Sequence, residues 1–577
     1  MALDCIVIGF NEPPFERYEA LIRNYGEDSE AYRDLRFSFV DVDDRKLTFV
    51  DLLNYACEAN GGPPPARPFR SCDLPNLAAV YLTNFLRKRG VEADYINLFQ
   101  FEKDALARML DQKPVCVAIT TTFYVINFPV NEMVRFIRER NPDVAIVVGG
   151  PLIANYARQA DDAHAAATVA KTTAADTTSG GSQPAVASDE LAAALRDIAA
   201  DVYVIEGQGE LTLLRIVERL KARQSLADVP NLVYVDRGTY VRTPKSAEQN
   251  NLDECDIDWL AFADRDLGRT IQTRTARSCA FNCAFCNYPG RAGRLSLSHL
   301  DTVKRELDAI RAIGDVRHVV FIDDTFNVPL PRFKDLCRLM IQERYPFNWF
   351  SYFRCSNSDE EAIDLMAASG CKGVFLGIES GSPTILKNMN KAATVEKYAD
   401  GISLLKARGI LTFASFILGF PGETASTVRQ TTEFIETTRP DYYRVQPWYC
   451  EPGTPIERSR DRFGIEGEGF VWRHATMDSL EAADHMERMF LTIRQSTWLP
   501  QWSFDFWIIP YLLGERLDVR SFGEFMTLAN RLLVLEIASM TPAVKARRQS
   551  ELVGDLAAWA ERWQLAAPRA CAEEGAR

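Results

Sequence analysis

The 577-residue chain is 47% hydrophobic and 25% charged, as in soluble globular proteins, and its length predicts three or four domains. The net charge of −13 argues against nucleic acid as the main partner, because phosphate binding requires a basic face. The opening MALDCIVIGF lacks the basic start of a signal peptide, and no apolar run reaches the ~18 residues of a membrane span. Scattered single cysteines favour a reducing compartment. We therefore expect a cytoplasmic protein.

Residues 1–250 alternate strand-like and helix-like segments. The strand-like runs include DCIVIGF, VEADYINLF, PVCVAITTTF, DVAIVVGGP and DVYVIEGQGE, and the helix-like runs include LAAVYLTNFLRKRG, PVNEMVRFIRERN and LTLLRIVERLKAR. Such alternation predicts a doubly wound, Rossmann-like parallel sheet. Ligands of such α/β sheets bind beyond the carboxyl ends of the strands.

The predicted strand ends carry small and polar residues that suit a binding crevice, although many α/β proteins end strands in this way. They are Asn11 and Glu12; Thr120, Thr121 and Thr122; Gly149 and Gly150; and Glu206, Gly207, Gly209 and Glu210. Their order resembles that of cobalamin-binding domains, in which GGP and G-x-G-E turns border the nucleotide tail of the cofactor. The resemblance implies that these residues contact cobalamin.

The chain departs from many cobalamin proteins in its histidines. It has five, and only His164 lies in this third, outside any D-x-H-x-x-G motif. We therefore expect the lower face of cobalt to be open or covered by another residue. The loop 120–127 and the segment 70–76 are the candidates.

A low-complexity stretch interrupts the alternation at residues 158–189. It is rich in Ala, Thr, Ser, Asp and Gly and has no apolar periodicity. We expect a flexible insertion without a function of its own, followed by a helix near Asp189.

A second alternation fills residues 265–460. Six strand-like runs, beginning with IQTRTARSC and ending with YYRVQPWYCEPGTP, alternate with amphipathic helices. Six such β/α units predict a partial TIM-like barrel, whose chemistry would lie where the strands end.

Three cysteines in the run RTARSCAFNCAFCNYPG form a CxxxCxxC cluster: Cys279, Cys283 and Cys286. Thiolates on one short loop ligate iron–sulfur clusters, and three thiolates leave one iron of a [4Fe–4S] cube open. The alternative is a zinc site or a structural thiol group. A local Cys3His zinc site lacks support, because no histidine lies between Cys255 and His299.

The cysteine spacing, with Phe285 before the last cysteine, resembles radical S-adenosylmethionine enzymes. The resemblance implies a [4Fe–4S] cluster whose open iron binds S-adenosylmethionine, with Phe285 near the adenine. It also assigns strand-end residues to that cosubstrate: Asp324 to the methionine amino group, Arg354 to its carboxylate, Glu379 and Ser380 to the ribose, and Gly419 to the nucleoside. Each could instead be a strand-end cap or a salt bridge.

The sixth strand ends in residues that would face the substrate. Tyr449 or Cys450 could transfer a proton or a hydrogen atom, although a free cysteine is more commonly packed in the core. Residues 461–577 have helical periodicity and many aromatic side chains. We expect a mainly helical C-terminal cap over the barrel mouth.

Together the resemblances imply a cobalamin-dependent radical S-adenosylmethionine methyltransferase. The segments GFNEPPFERYEALIRNYGEDSEAYRDLRFSFVDV and VQPWYCEPGTPIE are similar to the P-methyltransferases of phosphinothricin-type natural products. The methyl acceptor would be an unactivated centre, phosphinate phosphorus or carbon, of a small-molecule or carrier-bound intermediate. If it is phosphorus, basic residues should line the pocket beside Trp448.

Two other functions stay open. The enzyme could perform a rearrangement, ring contraction or cyclisation without methyl transfer, or the chain could be a non-catalytic cobalamin- or metal-binding regulator. The enzymatic readings require an external electron donor of the flavodoxin or ferredoxin type.

Overall fold

A computed structural model describes residues 3–563 and 565, apart from 59–67, 72, 125, 172–183, 501 and 503–507; for residues 163–171 it describes only the backbone. Up to residue 242 the strands are β1 Cys5–Phe10, β2 Phe39–Val42, β3 Arg45–Thr48, β4 Ala93–Leu98, β5 Cys116–Thr120, β6 Ala145–Gly149, β7 Ala185–Val186, β8 Val202–Val204, β9 Leu232–Asp236 and β10 Thr239–Arg242. The helices are α1 Phe15–Arg23, α2 Glu30–Leu35, α3 Phe49–Glu58, α4 Leu77–Arg87, α5 Lys103–Leu110, α6 Phe128–Arg140, α7 Pro151–Lys171, α8 Asp189–Arg196 and α9 Glu210–Lys221.

The N-terminal sheet has the strand order β4-β1-β5-β6-β8-β9-β10-β7. The pairs from β4 to β8 are parallel, which confirms the doubly wound sheet, and the last three strands extend it antiparallel. Strands β1 and β5 are buried almost throughout because helices cover both faces. The strand order reverses between β1 and β5, and a crevice is expected at such a point.

The N-terminal region also contains elements that the sequence analysis did not assign. Helices α1–α3 and the hairpin β2–β3 lie outside this sheet and contact the C-terminal region. Arg33 of α2 pairs with Asp484 and Glu487, and the Tyr18 ring stacks on Trp502 at 4.0 Å. The two ends of the chain therefore pack together.

The expectation of a flexible insertion at 158–189 is wrong in its first part. Helix α7 continues to Lys171, and Asp161 in its middle pairs with Arg242 and Lys245. Its alanines favour helix even without an apolar stripe. Residues 172–183 lie outside the described residues, and the helix near Asp189 is confirmed.

The central region forms a second, entirely parallel sheet. Its strands and those of a small hairpin are β11 Thr270–Thr273, β12 Ala276–Arg277, β13 Ser296–Leu297, β14 His318–Phe321, β15 Asn348–Phe353, β16 Cys371–Glu379, β17 Leu411–Leu418 and β18 Tyr442–Pro447. The helices are α10 Tyr288–Ala292, α11 Leu300–Ile313, α12 Leu330–Glu343, α13 Glu360–Ala368, α14 Pro383–Asn388, α15 Val395–Ala407 and α16 Ala425–Thr438. The order β11-β14-β15-β16-β17-β18 confirms the six β/α units, and a short strand from the C-terminal region adds a seventh.

The C-terminal region is mainly helical, as expected. It comprises β19 Glu466–Glu468, β20 Val471–His474, β21 Met477–Asp478 and β22 Thr497–Trp498, with α17 Arg460–Phe463, α18 Ser479–Thr492, α19 Ile508–Glu515, α20 Val519–Ile537 and α21 Pro542–Arg562. Among the described residues, no helix is both long and apolar enough to cross a bilayer.

The expected position of this region over the barrel mouth is wrong for helices α19 and α20. The Thr270 hydroxyl at the start of β11 donates to the Pro510 carbonyl (3.1 Å), and the Tyr442 ring at the start of β18 packs on Phe522. These helices therefore contact the amino ends of the strands. At the carboxyl ends lie the small β19–β21 sheet, through Trp472, and the first turn of α18.

Candidate active site

The three cysteines lie on the loop between β12 and α10, at the carboxyl end of the barrel. Cys283 is buried, whereas Cys279 and Cys286 are half-buried. The Cys286 N–H donates to the Cys283 carbonyl (3.1 Å), and the Tyr288 N–H donates to the Cys286 thiol (3.4 Å). The loop thus presents its thiols in a compact turn with a backbone donor aimed at one sulfur.

The electrostatics of the loop fit a group that carries positive charge. Burial raises the pKa of Cys286, and the neighbouring Cys283, Cys279 and Asp324 raise it further. Mutually repelling thiolates need a cation among them, which the irons of a cluster supply. Within the described chain, no three His, Cys, Asp or Glu side chains converge closely enough for a single metal ion. A four-iron cube is wider than one ion and holds its cysteines farther apart.

Arg354 follows β15, as predicted, and its guanidinium lies 3.6 Å from the ring of Phe281 in the cysteine loop. Only 6% of the residue is exposed, yet its Nε and one terminal nitrogen have no partner among the described residues. An unsatisfied buried guanidinium costs free energy unless an anion joins it. The site therefore fits the carboxylate that Arg354 was expected to bind.

The two aspartates after β14 have different roles. Asp323 is buried and accepts hydrogen bonds from the Thr275 N–H and hydroxyl (both 2.6 Å) and from the Ala276 N–H (3.0 Å), so it fastens the entry to the cysteine loop. Asp324 is exposed and is hydrogen-bonded to the Tyr288 side chain. Its desolvation, with the adjacent Asp323 charge, raises its pKa to about 6. Asp324 is thus the accessible carboxylate.

Glu379 ends β16 with a positive φ of 69°, and its carboxylate pairs with a lysine that the sequence analysis missed. The Lys391 ammonium lies 2.9 Å from Glu379 Oε1, and both residues are buried. Burial disfavours the charged lysine, but Glu379 outweighs this and holds the pKa of Lys391 above its usual value. Glu379 therefore already has a cationic partner.

Two residues expected at the nucleoside are engaged elsewhere. The Ser380 hydroxyl forms a hydrogen bond with the Thr431 hydroxyl (3.3 Å) and accepts one from the Ser382 N–H (3.1 Å). Gly419 has φ of 81°, and a Cβ there would lie 2.5 Å from the Trp472 ring. The absence of a side chain at Gly419 thus makes room for Trp472, which is the structural reason for glycine at this position.

The two candidates after β18 differ in accessibility. Tyr449 is 49% exposed and packs edge-on against Phe470. Cys450 is buried, pairs its backbone with Gly469, and burial raises the pKa of its thiol to about 11. Cys450 therefore packs in the core, the alternative that the sequence analysis favoured, whereas Tyr449 is accessible.

At the N-terminal sheet, the residues after β1 border a cavity of about 610 Å³. Glu12 lines it and accepts from the Ser71 hydroxyl (2.6 Å), and Arg70 lines it with its guanidinium 3.8 Å from the Phe101 ring. Asn11 also lines the cavity, and its amide donates to the Pro129 carbonyl (3.0 Å) and to the Glu132 carboxylate (3.2 Å). Both residues of the expected pair therefore border this cavity, and Glu12 contributes a carboxylate to it.

The turns after β5 and β6 are joined by hydrogen bonds and close packing. The Thr120 hydroxyl donates to the Gly9 carbonyl (2.8 Å), and the Thr121 hydroxyl donates to the Gly149 carbonyl (3.0 Å). A Cβ on Gly150, where φ is 117°, would lie 2.8 Å from the Thr121 hydroxyl oxygen. Thr122 is exposed beyond this contact and is the threonine free to meet a ligand.

The turn 206–210 after β8 packs against α10, the short helix that follows the cysteine loop. A Cβ on Gly207 would lie 2.6 Å from the Arg291 carbonyl, and the Gln208 amide donates to the Ala292 carbonyl (3.1 Å). Gly209 packs on Val204, and Glu206 is half-buried. The carboxyl ends of the two sheets therefore meet at this turn.

The structure corrects the expectation that Glu210 contacts a cofactor. It is 5% exposed, forms an ion pair with Arg277, and lies 3.7 Å from Arg274. Its other carboxylate oxygen accepts from the Asn250 amide (2.7 Å). Burial opposes ionisation, but the two arginines prevail and lower the pKa of Glu210. Glu210, at the start of α9, therefore links the N-terminal region to the segment 274–277 that leads into the cysteine loop.

Two family models match the chain. The radical SAM superfamily matches residues 273–435, and the B12 binding domain matches residues 70–179. The chain therefore contains a radical SAM domain and a B12-binding domain. These domains imply three cofactors: a [4Fe–4S] cluster, S-adenosylmethionine and cobalamin.

Curated relatives resemble parts of this chain. It is 29% identical to an uncharacterized methyltransferase of Pyrococcus horikoshii over 44% of this chain and 56% of the relative. It is 25% identical to an anaerobic magnesium-protoporphyrin IX monomethyl ester cyclase of Rubrivivax gelatinosus over 51% of this chain and 56% of the cyclase. The chain thus spans about half the length of these relatives.

Solved structures share the fold over a longer stretch. The methyltransferase TsrM from Kitasatospora setae, with cobalamin and a [4Fe–4S] cluster bound, gives a TM-score of 0.58 at 18% identity, covering 85% of this chain and 97% of TsrM. The cobalamin-dependent enzyme OxsB, with aqua-cobalamin and S-adenosylmethionine bound, gives a TM-score of 0.56 at 14% identity, covering 96% of this chain and 84% of OxsB. At these identities the likeness shows a common fold.

Sequence reasoning missed the basic residues around the cysteine loop of the radical SAM domain. Arg274 and Arg277 precede Cys279 in the same run of sequence, so their closeness to the cysteines was visible, but their partner Glu210 was not. Lys391 lies in a loop with no motif. Only the fold brings it to Glu379.

Proposed function

We propose that this protein is a cobalamin-dependent radical S-adenosylmethionine methyltransferase. It would transfer a methyl group to an unactivated centre, phosphinate phosphorus or carbon, of a small-molecule natural-product intermediate. When bound, the cluster and S-adenosylmethionine supply a substrate-activating radical, and cobalamin supplies a methyl carrier. The observation that carries the proposal is the contact between the turn 206–210 and helix α10, directly after the cysteine loop, because it brings the carboxyl ends of both sheets to one place.

The chain's own residues would hold the cosubstrate and the substrate. Arg354 would bind the methionine carboxylate as a guanidinium fork, and Asp324 would accept from its amino group. Gln446, near the end of β18, and the exposed Tyr449 would face the substrate. Trp472 and Trp448 would exclude water from the mouth.

The target atom would be decided by the charges near β18. Trp448 itself packs on Phe420, Trp472 and His474, so the expectation of basic residues beside it is not met among its described ring contacts. Arg444 lies on the same strand, and Arg158 lies 3.3 Å from the position of a Cβ on Gly453. Arg158 already pairs with Glu451 (3.8 Å), so an acceptor with an anionic group, which both a phosphinate and an amino-acid carboxylate provide, would share this cation with Glu451.

The named relatives support methyl transfer. One is the Pyrococcus methyltransferase described above, and another is a tryptophan 2-C-methyltransferase of Streptomyces laurentii, 28% identical over 28% of this chain. The alternative is a non-methylating rearrangement, ring contraction or cyclisation, which the cyclase relative favours. We also propose a cytoplasmic location and a flavodoxin- or ferredoxin-type electron donor.

The test is an anaerobic incubation of reconstituted protein with methyl-labelled S-adenosylmethionine, a strong reductant and either a phosphinate amino-acid derivative or its carbon analogue. Methyl transfer predicts S-adenosylhomocysteine, 5′-deoxyadenosine and a labelled product from one acceptor. Deoxyadenosine without S-adenosylhomocysteine would establish the alternative. The Cys283→Ala variant is the control: it should lose deoxyadenosine formation and keep the corrinoid.

A further inference from the structure

The loop that contains Lys391 is fastened to the cysteine loop on both sides of Cys283. The Ala284 N–H donates to the Met389 carbonyl (2.8 Å), and the Asn390 amide donates to the Asn282 carbonyl (2.7 Å). These bonds fix the backbone one residue before and one residue after Cys283. The position of Lys391 relative to this cluster ligand is therefore set by direct bonds.

The Lys391 ammonium lies deep in the site. The residue is 6% exposed, its nitrogen is 2.9 Å from Glu379 Oε1, and it is 5.3 Å from the centroid of the Phe285 ring. Phe285 stands between the ligands Cys283 and Cys286. The ammonium thus lies on the protein side of the cluster loop, where water cannot screen it.

We propose that Lys391 and Glu379 form a buried charge pair that sets the reduction potential of the cluster. A reduced cluster carries one more negative charge than an oxidised one. The fixed cation of Lys391 stabilises the reduced state, and the fixed anion of Glu379 opposes it. Cluster potentials respond to nearby charges and solvent exposure, and a low-dielectric environment enlarges the effect. The roles are those of positioning residues, because neither side chain is a ligand.

This inference rests on the cluster at the three cysteines and not on methyl transfer. Its test is a redox titration of the reconstituted cluster followed by electron paramagnetic resonance, without substrate. Lys391→Gln should lower the reduced-to-oxidised ratio at a fixed potential about tenfold, which for one electron is 59 mV. Glu379→Gln should raise that ratio, and Lys391→Arg should leave it near the wild-type value.

Lys387→Gln is the matched control, since Lys387 is exposed on the neighbouring helix α14 and should have no effect. Iron near four per chain verifies that each variant holds its cluster. If Lys391→Gln cannot hold iron, the opposite shift of Glu379→Gln still decides. Unchanged potentials in both variants, or shifts in the same direction, would overturn the proposal. A failed methyl-transfer assay would leave these shifts unaffected.

Discussion

Glu210 offers the sharpest test of how the two sheets are joined. Its carboxylate is buried with Arg277 and lies 3.7 Å from Arg274, so Glu210→Gln leaves two guanidinium groups facing a neutral amide. Removing one partner of a buried ion pair lowers the free energy of unfolding by about 3–5 kcal/mol. Arg277 keeps hydrogen bonds to Gln208 and to the Tyr81 hydroxyl, so we expect the lower end, about 3 kcal/mol.

The assay is urea denaturation of wild type and variants, read by tryptophan fluorescence. Glu206→Gln is the matched control, because this half-buried carboxylate lies on the same turn and should cost under about 0.5 kcal/mol. The double variant Glu210→Gln with Arg277→Met should recover part of the loss, since it removes one uncompensated charge. If Glu210→Gln unfolds at the wild-type urea concentration, the reasoning about this contact is refuted.

Three further outcomes follow from the site. Cys283→Ala should reduce iron after anaerobic reconstitution to near zero, whereas retention of four irons per chain would exclude it as a ligand. Gly419→Ala should lower stability by about 1–3 kcal/mol in thermal unfolding, because its methyl would meet Trp472 at 2.5 Å and φ is positive; an unchanged midpoint would contradict this packing. Burial raises the pKa of Glu423 from 4.5 to about 7. The contribution of the protonated carboxyl group to the free energy of unfolding is therefore fully present below pH 4.5 and is lost as the pH rises through 7. Glu423→Gln should be more stable than wild type by up to about 3 kcal/mol at pH 8, and this gain should vanish near pH 4.5.

The sequence predicted well wherever a local pattern decides the structure. Both β/α alternations are confirmed, because each buried strand and each amphipathic helix carries its own periodicity. The elements that it left unassigned, the hairpin β2–β3 and helices α1–α3, are stabilised by packing against α18, α20 and α21, hundreds of residues away. The direction in which α19 and α20 pack is likewise a tertiary property, since a helix that is apolar on one face can cover either end of a barrel.

In the candidate site, too, some features depend on the local sequence and others depend on the tertiary structure. The spacing of Cys279, Cys283 and Cys286 within eight residues determines the cluster chemistry, because one short loop brings all three thiols together whatever the rest of the chain does. The position after a strand likewise places Arg354 and Asp324 at the mouth. The pairings of Glu379 with Lys391 and of Glu210 with Arg277 depend on loops that meet only in the folded chain. The sequence by itself determined which chemistry is available; the tertiary structure decided which charges are free and which already have a partner.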